Sequence, residues 1–423
     1  MIAVDQPLAL ACGQTLANRL MKAGLSEQLS DREHAPTPGL ERLYDRWGRG
    51  GCGLVITGNV TVDRHQMAEP RNVAIEDDRD RDLLQRWARA AKRGGTSVWV
   101  QLNHPGRQAN PLAGRTRPVA PSAVPLAVPG APRPRAMTAA EIEATVQRFA
   151  TAAAIVKNAG FDGVQLHGAH GYLISQFLSP LANVRDDEWG GDLDRRMRFP
   201  IEVLRAVRAA VGDGFPVAIK LNSADFQRGG FSEDESQQVV ARLAGERIDL
   251  IEISGGTFER PAMMGPVARQ STREREAYFL SYAERVREHA GTVPLAVTGG
   301  FRSRSAMDEA LKDGACDVIG IGRPLCIDPE AAHRLLSDAS HYAAAGTPRV
   351  AARSLLGRMI DLHAADALLD VQWHTDQIHR IACGREPDPD RRWWRSLATT
   401  ARRNGLAAIP RPGRARSTTR GYQ

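Results

Sequence analysis

Short apolar runs alternate with longer stretches of helical periodicity along most of this chain. The runs Leu20–Gly24, Leu54–Gly58, Val98–Leu102, Gly163–His167, Val217–Leu221, Leu250–Ser254, Leu295–Thr298 and Val318–Gly322 are rich in β-branched residues and short, which predicts strands buried on both faces. Between them, Leu40–Gly48, Asp80–Arg93, Ala139–Asn158, Arg195–Ala210, Glu233–Ala244, Tyr278–His289 and Arg304–Lys312 carry apolar residues at helical spacing. Strands that alternate with helices eight times at even spacing predict an α/β protein whose parallel sheet closes into a (β/α)8 TIM barrel. A doubly wound open sheet is the competing architecture.

Two insertions break this rhythm. Pro105–Pro134 follows the third strand and Phe258–Arg275 the sixth. Both fall on strand-to-helix connections, the end where barrels build their active sites. Leu8–Arg19 is expected to close the opposite end as a hairpin cap. After about Ser337 the pattern turns to helix without strand, with Ala351–Ala367 and Val371–Ala382 expected to pack on the barrel exterior and Arg391-Arg392-Trp393-Trp394 to anchor them. The chain thus divides into a barrel over 1–340, a helical C-terminal extension over 341–395 and a basic tail over 396–423 that is expected to be disordered.

Charge changes the picture little. The formal net charge is +7, and beyond Arg395 there is no carboxylate side chain but six arginines (Arg402, Arg403, Arg411, Arg414, Arg416, Arg420). The tail therefore supplies six of the seven net positive charges and the body is almost neutral, which argues against a nucleic-acid-binding body. The five cysteines are dispersed and form no CxxC pair, which excludes zinc knuckles and iron–sulfur clusters and suits a reducing cytosol. With neither a signal-like segment nor a bilayer-spanning run, a cytoplasmic protein without a membrane partner is expected. Gly48-x-Gly50-x-x-Gly53 matches a dinucleotide pattern but precedes a strand instead of following one, so no helix N-terminus is placed to receive a pyrophosphate.

The chemistry gathers at the predicted strand ends. The fourth strand delivers His167, His170 and Tyr172 together: imidazoles that can donate to a substrate oxygen and a phenol that can deliver a proton. The first strand ends at Ala23-Gly24-Leu25-Ser26, the second at Gly58, the third at Gln101, and Lys220 lies near the end of the fifth. Gly299-Gly300 follows the seventh strand and Gly322-Arg323 the eighth, where barrels commonly bind phosphate. Small residues admit a flat ring, an amide suits a heterocycle edge, and a cation stabilises charge on a reduced ring. A planar heterocycle with a phosphate satisfies all of these at once, and flavin mononucleotide (FMN) is the candidate.

These motifs resemble the Old Yellow Enzyme family of flavin oxidoreductases. The resemblance runs from about Leu8 to about Pro389 and is most specific in His167–Pro180 and in Asn183-x-Arg185-x-Asp187-x-Trp189-Gly190-Gly191. Asn18-Arg19, Gln101-Leu102-x-His104-x-Gly106-Arg107, Ala120-Pro121-Ser122 and Ile321-Gly322-Arg323-Pro324 add to it. It implies bound FMN, NADH or NADPH as reductant, and an activated alkene as substrate. It implies further that Gly58, Gln101, Lys220, Gly300, Gly322 and Arg323 surround the flavin. His167 and His170 would hold the substrate oxygen, and Tyr172 would protonate the alpha carbon as hydride from the flavin arrives at the beta carbon. Ser26, Gly24 and Arg195 depart from the residues usual in the family, which leaves the flavin potential and local packing open. Three other readings stay open. They are an FMN-dependent dehydrogenase or oxidase of an amine or saturated substrate, a flavin-free phosphate-binding lyase or isomerase using Lys220, and a barrel that only carries flavin. NADH versus NADPH and homo-oligomer formation are also open. His104 and Arg107 are expected either to line the pocket or to brace their loop, the Asn183–Gly191 segment to be structural, and Trp373, His374 and Arg380 to pack.

Overall fold

Eight strands close on themselves: β1 (Leu20–Lys22), β2 (Leu54–Thr61), β3 (Ser97–Asn103), β4 (Gly163–Gly168), β5 (Val217–Asn222), β6 (Leu250–Ser254), β7 (Leu295–Thr298) and β8 (Val318–Ile321). Each runs parallel to its neighbours, and β8 pairs back onto β1 through Ile319–Leu20 and Ile321–Lys22. The computed structural model describes residues 2–128, 130–255, 271–301, 303–337 and 363–405. The predicted barrel is therefore observed, with strand limits within a few residues of those expected. Helices α1 (Pro38–Gly48), α2 (Arg81–Ala91), α3 (Ala139–Asn158), α4 (Leu193–Val211), α5 (Glu233–Ala244), α6 (Ser271–Ala290) and α7 (Arg304–Lys312) form the outer ring. Two of them start where the sequence writes a reciprocal cap: Thr138 with Glu141 opens α3, and Ser232 with Glu235 opens α5.

The side-chain alternation of the strands sorts the interior into layers. At the N-terminal end Met21, Ile56, Trp99, Ala218, Leu250, Ala296 and Val318 form an apolar plug. Leu8–Ala9 pairs antiparallel with Thr15–Leu16, and Leu10 and Leu16 seal that plug, as the hairpin cap predicted. Asn18 fastens this end by accepting from Gly53 N (2.9 Å) and donating to Gly51 O (2.9 Å). The GxGxxG-like segment is thus a tight connection at the end remote from His167. Outward-facing apolar residues of the strands pack under the helices as a second, larger core.

Two details of the chain refine the expected boundaries. The Phe258–Arg275 insertion lies outside the described residues up to Gln270, as does most of the Ala351–Ala367 helix. A helix α8 (His363–Ala382) follows, joined to α1 through Arg42 Nε donating to Ala382 O (2.8 Å). The expected anchor Arg391-Arg392-Trp393-Trp394 holds through Arg391, which pairs with Asp376 and whose carbonyl accepts from Trp373 Nε1 (2.8 Å), while the two indoles are 38% and 48% exposed. Helix α9 (Trp393–Asn404) runs through the boundary drawn at residue 395, and the rest of the basic tail lies outside the described residues. All five cysteines are free, and among the described residues no helix is long and apolar enough to cross a membrane.

Candidate active site

His167 is the last side chain of β4 to point inward, and strand pairing sets Lys220 beside it. The chain then turns through His170 (φ 60°) and Gly171 (φ 75°), a left-handed pair that brings His170 and Tyr172 back over His167. The His167 ring centre lies 5.0 Å from that of His170 and 4.7 Å from that of Tyr172. The predicted trio is therefore one cluster. His170 is fixed at three points: its N–H donates to Asn222 Oδ1 (3.1 Å), its carbonyl accepts from Gln108 Nε2 (2.8 Å), and its Nε2 lies 2.8 Å from Ser254 Oγ. Tyr172 Oη accepts from Asn59 Nδ2 (3.1 Å).

Burial is the main cause that keeps both imidazoles neutral, followed by the Lys220 charge for His170, which is pushed down to about 3, and by His170 and then Lys220 for His167, which lies well below the ordinary value. Burial raises Tyr172 above the usual phenol range, Glu69 adding to the rise and Asn59 opposing it. The cluster is thus a set of neutral groups at neutral pH, able to donate without first losing a charge.

Below the rim a polar belt crosses the barrel. Gln101 Nε2 donates to Gln165 Oε1 (2.7 Å), and Gln165 Nε2 donates to Glu252 Oε2 (2.8 Å). Thr298 Oγ1 donates to Glu252 Oε1 (2.6 Å), and Lys220 Nζ lies 2.8 Å from the same oxygen. The Lys220 cation is therefore compensated within the protein and held in place. Gln101 keeps its amide oxygen as an acceptor, with no partner among the described residues. Gln165, Glu252 and Thr298 were not anticipated. Their signal was present in the sequence, since Gln165 and Glu252 interrupt apolar strands at inward-facing positions.

The predicted strand-end glycines and their neighbours also converge. A Cβ on Gly24 would stand 2.9 Å from the Gln101 amide, and one on Gly322 would be 3.5 Å from Leu25. Ala23, Gly24 and Leu25 thus lie between Gln101 and the end of β8. Gly58 is small for an internal reason: its Cβ would fall 2.1 Å from Leu25 O and from Glu27 Oε2. Its N–H donates to Glu27 Oε1 (2.8 Å) and Tyr44 Oη (3.1 Å). The Ser26 hydroxyl donates to Glu69 and accepts from Asn72 Nδ2 (3.1 Å). Gly299 (φ 117°) and Gly300 (φ 90°) adopt backbone that side chains disfavour. Arg323 opens a 3₁₀ turn after β8, pairs with Asp370 of α8 at 2.6 Å, and leaves its side chain 44% exposed.

The remaining motifs are braces. His104 Nδ1 accepts from Gly106 N (3.1 Å), and Arg107 Nη1 donates to Pro125 O (3.2 Å). Arg185 Nη1 donates to Pro121 O and Met137 O (2.7 Å each), tying the first insertion to the loop after β4.

The buried histidines make stability pH-dependent. His104 is pushed down to about 4, and His170 and His379 to about 3, burial being the main cause in each. The unfolded chain takes up these protons near pH 6.5, so it binds more protons than the fold below that pH, and stability falls as pH falls. Each such histidine contributes a loss of up to about 1.4 kcal/mol per pH unit. The thermal midpoint is expected to fall steadily from pH 6.5 to pH 4, less steeply in His379→Gln. The glutamine keeps a donor toward Glu27 O, which His379 Nε2 meets at 2.7 Å, without the titrating ring. A midpoint flat over that range would contradict this.

The model of a family described as NADH:flavin oxidoreductase / NADH oxidase matches residues 5–341. An NADH-dependent flavin oxidoreductase, iliE, of Hypocrea jecorina is 40% identical over 76% of this chain and 86% of its own length. Its counterpart iccE of Talaromyces variabilis is 36% identical over 89% of this chain and 97% of its own. An NADH oxidase of Thermoanaerobacter brockii is 34% identical, but the matched part is 48% of that protein. Among solved structures, morphinone reductase in complex with tetrahydroNAD superposes with a TM-score of 0.66 at 25% identity, over 81% of this chain and 93% of that one. An Old Yellow Enzyme homologue from Zymomonas mobilis superposes with a TM-score of 0.67 at 24% identity, over 80% and 94%.

Proposed function

This chain belongs to the NADH:flavin oxidoreductase / NADH oxidase family, and on that premise we propose that it reduces activated carbon–carbon double bonds of α,β-unsaturated carbonyl-type substrates with NADH or NADPH. The rim fits FMN. Gly24 leaves the Gln101 amide uncovered, the Gln101 oxygen has no partner among the described residues, and the exposed Arg323 follows β8, which pairs with the strand β7 that leads into the left-handed Gly299–Gly300 turn. Ala23, Gly24, Leu25, Ser26, Gly58, Gln101 and Lys220 would hold or flank the ring. Gly299, Gly300, Gly322 and Arg323 would receive the phosphate. When bound, FMN supplies the hydride taken from the nicotinamide.

One observation carries the choice of an alkene as acceptor. A neutral imidazole, His167, stands against a second one, His170, and against the Tyr172 phenol, and Asn59 already fills one lone pair of that phenol. His167 and His170 would donate to the carbonyl oxygen, where negative charge grows as the double bond is attacked. Tyr172 keeps its own hydrogen for transfer to the alpha carbon. Asn59 then stabilises the phenolate left behind, because a hydrogen bond to a charged oxygen is stronger than one to a neutral oxygen.

Purified protein is expected to be yellow, to be bleached by NADH or NADPH without air, and to regain its colour on adding an α,β-unsaturated ketone. A colourless protein that takes up no flavin would count against the whole assignment. Bleaching by an amine or a saturated substrate alone would assign dehydrogenation in its place. Arg323→Ala is expected to weaken FMN about 10- to 100-fold and to leave riboflavin, which has no phosphate, nearly unchanged. Equal losses for both would remove the phosphate role.

A further inference from the structure

His167 and His170 reach the same rim on different supports. His167 Nδ1 accepts the backbone N–H of Ala169 at 3.3 Å. A backbone N–H can only donate, so Nδ1 is bare and the ring hydrogen sits on Nε2, which has no protein partner among the described residues. His170 is turned the other way: its Nε2 meets Ser254 Oγ at 2.8 Å, and its Nδ1 has no protein partner among the described residues. Burial keeps both rings neutral, so each ring has one N–H and one lone pair to distribute. For His170 that distribution rests on a hydroxyl able to donate or to accept.

Ser254 is fully buried at the end of β6, and the only side-chain partner of its hydroxyl among the described residues is His170. If the hydroxyl accepted from Nε2–H, its own hydrogen would have no acceptor among the described residues, on a side chain buried from solvent, which costs free energy. If it donates, that cost vanishes, and the ring hydrogen moves to Nδ1. We propose that Ser254 donates to His170 Nε2 and is the positioning residue that sets the His170 tautomer, so that His167 Nε2–H and His170 Nδ1–H both face the substrate as donors. In the other tautomer His170 would present a lone pair to the same oxygen and repel it. Ser254 thereby tunes the site for an acceptor oxygen, such as a carbonyl or an enolate, and against an ammonium group, which can only donate. This rests on the proposed role of His170 as a donor to the substrate oxygen.

The tautomer can be read without turnover. In full-length protein labelled with ¹⁵N-histidine, the His170 ring signals are those lost in His170→Gln. They are expected to show hydrogen on Nδ1 in the wild type and on Nε2 in Ser254→Ala. With FMN bound, 4-chlorophenol, whose anion offers an acceptor oxygen, is expected to bind Ser254→Ala about tenfold more weakly. Ser254→Thr, which keeps the hydroxyl, should restore binding. FMN content and bleaching by NADH should stay as in the wild type. Hydrogen on Nε2 in the wild type would overturn the proposal, as would loss of FMN in Ser254→Ala that threonine does not restore. Hydrogen on Nδ1 together with an unchanged phenol titration would leave the tautomer standing and remove His170 as the substrate's donor.

Discussion

Replacing Tyr172 with phenylalanine is expected to slow reoxidation by an activated alkene about 10²- to 10⁴-fold, the usual contribution of a positioned general acid. Bleaching by NADH should change no more than a few-fold, because that half-reaction needs no proton from the phenol. The fold should survive, since among the described residues the phenol's only hydrogen bond is the one it accepts from Asn59 at 3.1 Å. Stopped-flow absorbance at the flavin band separates the two half-reactions. If both slow alike, Tyr172 is a packing residue and the proton comes from elsewhere. Asn59→Leu supplies a graded comparison: it leaves the phenol but removes the group that would stabilise the phenolate, so it should slow the same half-reaction less.

Lys220→Met should cost roughly 3–5 kcal/mol of stability, the range seen when one partner of a buried ion pair is removed. Glu252 is fully buried, and among the described residues Lys220 is the only cation on its carboxylate; Gln165 and Thr298 supply neutral donors. Without the ammonium, a carboxylate is stranded in the middle of the barrel. The double variant Lys220→Met with Glu252→Leu should recover much of the loss, since the charge is then absent altogether. Denaturant unfolding of the three proteins decides this, and a Lys220→Met protein as stable as wild type would show that the pair contributes nothing. The same variants bear on the lyase reading. An amine held in an ion pair beneath the rim is poorly placed to attack a substrate carbonyl, and borohydride with a phosphorylated sugar should trap nothing at Lys220.

The barrel was legible because its signal is local and repeated. An apolar run at each of the eight strands and a helical stretch between them leave little choice once the runs are too short for helices. The His167–Tyr172 cluster was legible because six consecutive residues must emerge together wherever the strand ends. Less legible were residues whose partners lie far along the chain. Glu252 meets Lys220 because β5 and β6 pair those two residues, and it meets Gln165 and Thr298 because each lies one inward-facing position away along β4 and β7. The segment Arg391-Arg392-Trp393-Trp394 was legible as an anchor, but which of its side chains turns inward was not, and Arg391 holds the extension while the two indoles face outward.

From the amino-acid order alone came the alternation of strand and helix, the end at which chemistry collects, and the side chains carrying it, since each follows from periodicity over a few residues. Closure of the ring and the pairing across it depended on contacts between distant segments. Asn59 shows the difference. Simple alternation from Ile56 would bring Gly58 level with Gln101, but an irregularity between Ile56 and Asn59 inserts one residue, and Asn59 pairs with Gln101. That single extra residue aims an amide at the Tyr172 hydroxyl, and no local pattern records it, because strand register is settled between chains of contacts and not within one.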